Sequence, residues 1–310
     1  MEYQGRFPGD FMGGVLGLPE DWRGTMDFDG CVNLMKAAIL TSDRVSTVSR
    51  TYATEIQDPF FAHGLHDILR QNSHKLSGVV NGIDTEVFDP AADPLIYTNF
   101  TAGSLEKKAE NKKFLQERLG LAVRPETPMV IMITRLVGHK GVDLIQAVME
   151  DLMQDDLQMV VIGTGEWQYE EMFRAYAGRF PAKMSANIVF DNTLAHQAYA
   201  GADLVLMPSR QEPCGLTQLI AMRYGTVPIV RETGGLFDTV PAYNIETGEG
   251  NGFTFKSYNA HDMLDAVRRA GELFRDKEHW DALQRSIMAY DSSWTRSVQE
   301  YWDLYNSMSE

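Results

Sequence analysis

The stretch Thr134-Arg135-Leu136-Val137-Gly138-His139-Lys140-Gly141 follows an apolar run and precedes a helical pattern. Arg135 and Lys140 therefore sit in a loop where open parallel sheets bind their ligands, outside the carboxyl ends of the strands. Two fixed cations there suit a diphosphate leaving group and need no metal to neutralise it. Alone, the loop reads equally well as two solvated surface charges. A second junction, Pro208-Ser209-Arg210-Gln211-Glu212-Pro213-Cys214-Gly215-Leu216-Thr217-Gln218, again joins a buried strand to a helix. Free amides near Gly215, Leu216 and Thr217 at a helix start favour a phosphate. Glu212, held beside that anion site, is suited to sugar or ribose hydroxyls, or to positive charge at an anomeric carbon. The bland alternative makes Glu212 a carboxylate complementing a helix dipole. A third junction, Thr233-Gly234-Gly235-Leu236, repeats the arrangement, so three loops are expected around one crevice. Gly163-Thr164-Gly165 lacks the third glycine of a dinucleotide fingerprint, and Gly163 is read as lining the crevice floor. Cys214 is read as packing against the crevice wall.

The elements that must position these loops alternate. Strand-like runs occur at Met129–Ile133, Leu157–Ile162, Ile188–Phe190, Asp203–Met207 and Val227–Val230. Helical spacing occupies Val142–Met153, Trp167–Tyr176, Leu194–Ala200 and Leu216–Tyr224 between them. Such alternation predicts βαβ units and a parallel sheet, hence an α/β, Rossmann-like domain. The first hundred residues hold only two strand-like runs, Arg44–Val48 and Ser77–Val80, with helices near Val32–Thr41 and Tyr52–Gln57. Two strands do not make a doubly wound domain of their own. A charged helix, Ser104–Leu119, is expected in a linker or hinge, and Trp294–Met308 has an amphipathic pattern through Trp294, Val298, Tyr301, Trp302 and Tyr305.

Composition narrows the partners. With 44% hydrophobic residues, the 310-residue chain can bury one large core or two modest ones. No run of about eighteen apolar residues is present, and no secretory signal is visible at the amino terminus. A net charge of −15 opposes nucleic acid as a general partner. Two distant cysteines, Cys31 and Cys214, set aside a disulfide framework or a four-ligand zinc site and suit a reducing cytoplasm. Asp27-Phe28-Asp29 follows no apolar strand and reads as a solvated loop. His63 and His66 lack a third ligand at matching spacing, so no metal is expected. No cofactor is expected either.

Taken together, these residues resemble the bacterial glycogen synthase and plant starch synthase family, retaining transferases of the two-domain GT-B fold. The likeness runs through Glu2-Tyr3-Gln4-Gly5, Val32-Asn33-Leu34-Met35-Lys36, Thr47-Val48-Ser49, Val80-Asn81-Gly82-Ile83-Asp84, Ala109-Glu110-Asn111-Lys112 and the loops above. The string Glu-Pro-Cys-Gly-Leu-Thr-Gln is its most specific part. A related, larger family carries a second glutamate eight positions on; Ile220 stands there, which agrees with glucan synthases and favours ADP-glucose. The resemblance implies that Arg135 and Lys140 contact the donor diphosphate, that Glu212 holds the donor glucose, and that Gly215, Leu216 and Thr217 cradle the distal phosphate. It also implies that Asn81 reaches the sugar from the opposing domain, with Phe190 as the candidate for stacking on adenine. ADP-glucose and an α-1,4-glucan are the implied partners, without metal.

The same resemblance implies four segments: 1–88 as a residual acceptor-side domain, 89–127 as linker and hinge helix, 128–285 as the nucleotide-sugar-binding domain, and 286–310 as a helix returning to the amino-terminal part. Arg50 departs from the family's usual proline. A Lys-x-Gly-Gly-Leu loop and a histidine that family members carry ahead of the Glu-Tyr-Gln-Gly segment have no counterpart here, so the acceptor-side domain is expected to be incomplete. Besides the ADP-glucose transferase, two readings stand: a transferase with another donor or acceptor, and a non-catalytic nucleotide- or glucan-binding chain.

Overall fold

The computed structural model describes residues 3–308, so Glu2 of the Glu-Tyr-Gln-Gly string lies outside the described residues. The chain forms two compact units. One runs to Val80 and includes the residues from Gln299; the other is Asn81–Val298.

In the first unit, β1 (Arg6–Phe7), β2 (Asp27–Phe28) and β3 (Cys31–Asn33) make a small antiparallel sheet in the order β1-β3-β2. The Asp27-Phe28-Asp29 string is thus not a loop: it enters a tight hairpin, turned by Asp29 (φ 50°) and Gly30 (φ 74°). Two-residue strands carry no readable alternation, which hid them. β4 (Val45–Thr47) and β5 (Leu76–Gly78) pair in parallel, and the helix Arg50–Glu55, capped by Ser49, lies in the crossover such a pair requires. Asn33 caps the helix Leu34–Thr41 and donates to Gln4 Oε1 at 2.7 Å, while Gln4 Nε2 donates to the His63 carbonyl at 2.9 Å. Two strings of the resemblance are therefore physically joined by buried amides. The helix Trp294–Asn306 is divided between the units, and in the first Glu300 accepts from Arg50 at 3.1 Å. Its aromatic stripe is not covered: Trp302 and Tyr305 are exposed.

The second unit is built on β6 (Met129–Ile133), β7 (Gln158–Ile162), β8 (Met184–Asn187), β9 (Leu204–Met207), β10 (Val227–Arg231) and β11 (Phe253–Phe255). All neighbours are parallel, in the order β11-β10-β9-β6-β7-β8. The chain winds from β6 outward through β7 and β8, then returns to the other side of β6. The reversal lies between β6 and β9, where parallel sheets open a crevice. Strands β6, β7 and β9 are nearly continuous buried apolar runs, which made them readable. The run Ile188–Phe190 is not a strand. The edge strand is Met184–Asn187, whose polar Ser185 and Asn187 masked it, and Ile188–Phe190 follows as loop.

The charged helix, Glu106–Arg118, is no linker. It belongs to the second unit and packs on the helix Asn192–Gly201. Its buried face consists of Lys108, Asn111, Lys112, Leu115 and Gln116. Lys112 Nζ lies 2.7 Å from Asp203 and 2.7 Å from the Thr127 carbonyl, and Lys108 Nζ reaches the Tyr199 and Ala200 carbonyls and Thr226 Oγ1. Buried lysine amines whose hydrogens all find acceptors are tolerated, and they disguise a core helix as a surface one. The division between units falls at Val80 and Asn81, ahead of residue 88, so Asn81 shares the second unit with the loops of the crevice.

Candidate active site

The loops after β6 and β9 meet because two glycines let them. Gly141 has φ 77°, and a Cβ on it would lie 2.1 Å from the Pro208 carbonyl oxygen; only glycine tolerates both. Arg210 N then donates to the His139 carbonyl at 2.9 Å. The result is a cavity of about 140 Å³ at the carboxyl ends of β6 and β9, walled by Thr134, Lys140, Ser209, Glu212, Gly215, Leu216 and Thr217.

At its centre Lys140 Nζ lies 2.6 Å from Glu212 Oε2, and Ser209 Oγ donates to the same oxygen at 3.0 Å. Glu212 is buried. Among the described residues its other carboxylate oxygen has no protein hydrogen-bond partner, so the free oxygen is the one available to a ligand. The turn carrying Glu212 is held from behind. Gly235 N donates to the Glu212 carbonyl at 3.0 Å, and a Cβ on Gly234 or Gly235 would stand 2.1 Å from the Glu212 or the Cys214 carbonyl oxygen. Gly234 and Gly235 thus back the Glu212 loop and are themselves buried. Gln218, fully buried, donates through Nε2 to the Cys214 and Gly215 carbonyls and to Thr239 Oγ1, at 3.2, 2.9 and 3.1 Å.

Gly163 occupies an equivalent backing position: its Cβ would lie 1.8 Å from the Thr134 carbonyl oxygen, and Leu136 N donates to Thr164 O at 2.9 Å. It shapes the Arg135 loop and is not among the cavity walls. Burial pushes the Cys214 thiol above its usual range, with the Asn81 amide donating toward the sulfur and partly opposing that rise. Cys214 precedes the Gly215–Thr217 turn but is not itself among the cavity walls, and a thiol so held is not a nucleophile. The same contact brings Asn81 beside the site from within the second unit. Arg135 is exposed and outside the cavity wall. Phe190 follows β8 with 94% of its surface in solvent.

Sequence reasoning passed over Ser209 and Gln218 although both stood inside the quoted string, because neither bears a charge. It missed Arg231 outright. That side chain donates to the Ser209, Arg210 and Lys256 carbonyls, at 2.8, 2.6 and 3.2 Å, and clamps the turn that delivers Glu212. Tyr258, under the Arg210 guanidinium at 4.5 Å, donates to Asp143 Oδ1 at 2.5 Å, with the Gly138 carbonyl 3.2 Å from the same hydroxyl, and so ties the Lys140 loop to the same cluster. No local sequence signal marks either residue.

Residues 115–283, which contain every wall of the cavity, match the model described as glycosyl transferases group 1. The chain belongs to that family. Residues 1–71 match the starch synthase catalytic domain. A glycogen synthase of Bacillus cereus (strain Q1) is 48% identical over 312 aligned residues, covering 100% of this chain and 66% of that protein. A glycogen synthase of Clostridioides difficile (strain 630) is 47% identical, with 65% of its length covered. The catalytic domain of starch synthase IV from Arabidopsis thaliana, solved with ADP and acarbose, superposes with a TM-score of 0.91 at 36% identity, covering 99% of this chain and 65% of that one. The chain thus spans about two thirds of the length of the curated relatives it matches. Its α/β fold is that of GT-B starch synthases.

Proposed function

We propose that this chain serves a glycogen or starch synthase reaction, in which glucose passes from ADP-glucose to the non-reducing end of an α-1,4-glucan with retention of configuration. The observation that carries this reading is the meeting of Lys140 and Glu212 in one cavity beside the Gly215–Thr217 turn. A cation and a turn preceding a helix suit a diphosphate, and a carboxylate with one free oxygen suits a sugar. Likeness to glycogen synthases supports the glucan product, and the ADP and acarbose bound to the Arabidopsis enzyme support an adenine nucleotide and a saccharide as ligands.

In this reading Lys140 leaves Glu212 for the departing diphosphate, joined by Arg135, whose exposed side chain is free to swing inward. Glu212 then faces the donor glucose and favours the positive charge that builds on its anomeric carbon. Ser209 keeps the carboxylate aimed. Gly215, Leu216 and Thr217 offer backbone amides to the distal phosphate, Asn81 and Cys214 border the sugar, and Phe190 stacks on the adenine. Departure and attack on one face of the sugar preserve the α-configuration. The reading carries a cytoplasmic setting, where Cys31 and Cys214 remain free thiols.

Calorimetry with ADP and UDP, followed by incorporation of labelled glucose from ADP-glucose or UDP-glucose into glycogen, tests it. Tighter ADP binding and incorporation from ADP-glucose, abolished by Glu212→Ala, are expected. Preference for UDP-glucose would overturn the donor, and absence of any nucleotide binding would overturn the site.

A further inference from the structure

Among the described residues of the second unit, the two most exposed aromatic rings lie at one rim: Phe190, with 94% of its surface in solvent, and Trp167, with 75%. Phe190 follows β8, and Trp167 opens the helix Trp167–Arg179 just beyond β7, the strand paired with β8. Trp167 is not loosely placed. The register that pairs Ile133 with Ile162 in β6 and β7 continues past both strands to Leu136 and Gly165. Leu136 N donates to the Thr164 carbonyl at 2.9 Å, and Glu166 N donates to the Leu136 carbonyl at 2.8 Å. A Cβ on Gly165 would lie 2.1 Å from that same Leu136 oxygen, so a side chain there would break the contact. Gly163 N in turn donates to the Asn187 carbonyl, at the end of β8, at 3.1 Å. The Arg135–Leu136 turn, the start of the Trp167 helix and the chain leading to Phe190 are thereby held as one rim. A tryptophan contributes little to helix formation, and at 75% exposure this one covers no core.

We propose that Trp167 is a specificity-determining residue for the nucleotide, its indole closing on the base from the β7 side of the rim while Phe190 meets the base from the β8 side. The inference rests on the proposed transferase reading. In that reading the diphosphate lies at Lys140 and the Gly215–Thr217 turn, between β6 and β9, with the glucose turned toward Glu212. The nucleoside then runs the other way, toward β7 and β8, the next strand ends in the sheet. One to two strand spacings of about 4.8 Å separate β6 from those ends, a span that a ribose and base cover. A base has two π-faces, and a single ring covers one of them. The second stays in water unless another ring meets it, and Trp167 is the ring placed to do so. A purine offers more face than a pyrimidine, so two rings favour adenine over uracil. The indole carries no charge, so its effect falls on the base and not on the diphosphate.

Titration of the full chain with ADP, UDP and inorganic pyrophosphate, read by calorimetry and by tryptophan emission, tests it. ADP is expected to quench the emission of the parent chain. Trp167→Phe removes one of the five tryptophans and should abolish that quenching. Trp167→Ala should weaken ADP about tenfold, UDP by less, and pyrophosphate, which has no base, by less than about twofold. Trp167→Phe should recover most of the ADP affinity, because a ring is restored. Unchanged ADP affinity in Trp167→Ala, losses for UDP or pyrophosphate equal to that for ADP, or quenching that persists in Trp167→Phe overturns the role of Trp167. Those results leave the transferase reading standing. A parent chain that binds neither ADP nor UDP sinks that reading, and this inference with it.

Discussion

Replacing Glu212 by glutamine is expected to tighten ADP binding while stopping transfer. Lys140 is engaged by Glu212 at 2.6 Å, and the carboxylate sits in the cavity proposed to receive a diphosphate. Two unit charges of like sign at about 6 Å, with an effective dielectric constant of about 20, repel by about 3 kcal/mol. Lys140 between them offsets about half of that. Removing the carboxylate charge should therefore improve ADP affinity by about 1.4 kcal/mol, roughly tenfold. Transfer should fall by about a hundredfold or more, because the group that meets charge on the sugar is gone. Calorimetry with ADP at one ionic strength, paired with label incorporation, reads both numbers. Weaker ADP binding in Glu212→Gln would refute the reasoning, because it would mean the carboxylate grips the nucleotide, through ribose hydroxyls for instance, and does not compete for Lys140.

Lys140→Ala should weaken ADP by at least about thirtyfold and, by leaving a buried carboxylate without its cation, cost about 2 kcal/mol in urea denaturation. Gly163→Ala forces a Cβ to 1.8 Å from the Thr134 carbonyl oxygen at φ 149°; a loss of about 3 kcal/mol of stability with weakened ADP binding is expected, and an unchanged melting temperature would contradict it. Burial pushes the Lys108 amine down to about 7 from its ordinary 10.5. Between those values the unfolded chain binds the extra proton, so stability should rise with pH across that window, by up to about 1.4 kcal/mol per pH unit, and decline as pH falls toward 7. Lys108→Met should lose that slope relative to the parent, read from denaturation midpoints at pH 7.5 and 9.5.

Much of the second unit was legible because its central strands are buried on both faces and read as continuous apolar runs, so β6, β7, β9 and β10 stand close to where pattern puts them. The edge strand β8 was not, since only one side of it meets a neighbour and polar Ser185 and Asn187 are allowed there. The helix Glu106–Arg118 misled for the opposite reason: its buried lysines find carbonyls and Asp203 supplied from distant segments, which no local window contains. At the cavity, Lys140 and Glu212 stood out by charge and by position after a strand. Ser209, Arg231 and Tyr258 did not, because their work is to hold backbone or another side chain, and such roles appear only when the chain has folded.

The most direct test is the fate of the glucose itself. Incubation of the purified chain with ADP-glucose carrying labelled glucose and a maltooligosaccharide acceptor, with the product read by NMR, reports both transfer and linkage. An acceptor lengthened through a new α-1,4 bond, lost in Glu212→Gln, is expected. Bound ADP with no lengthened acceptor, or a new bond of β-configuration, would contradict it.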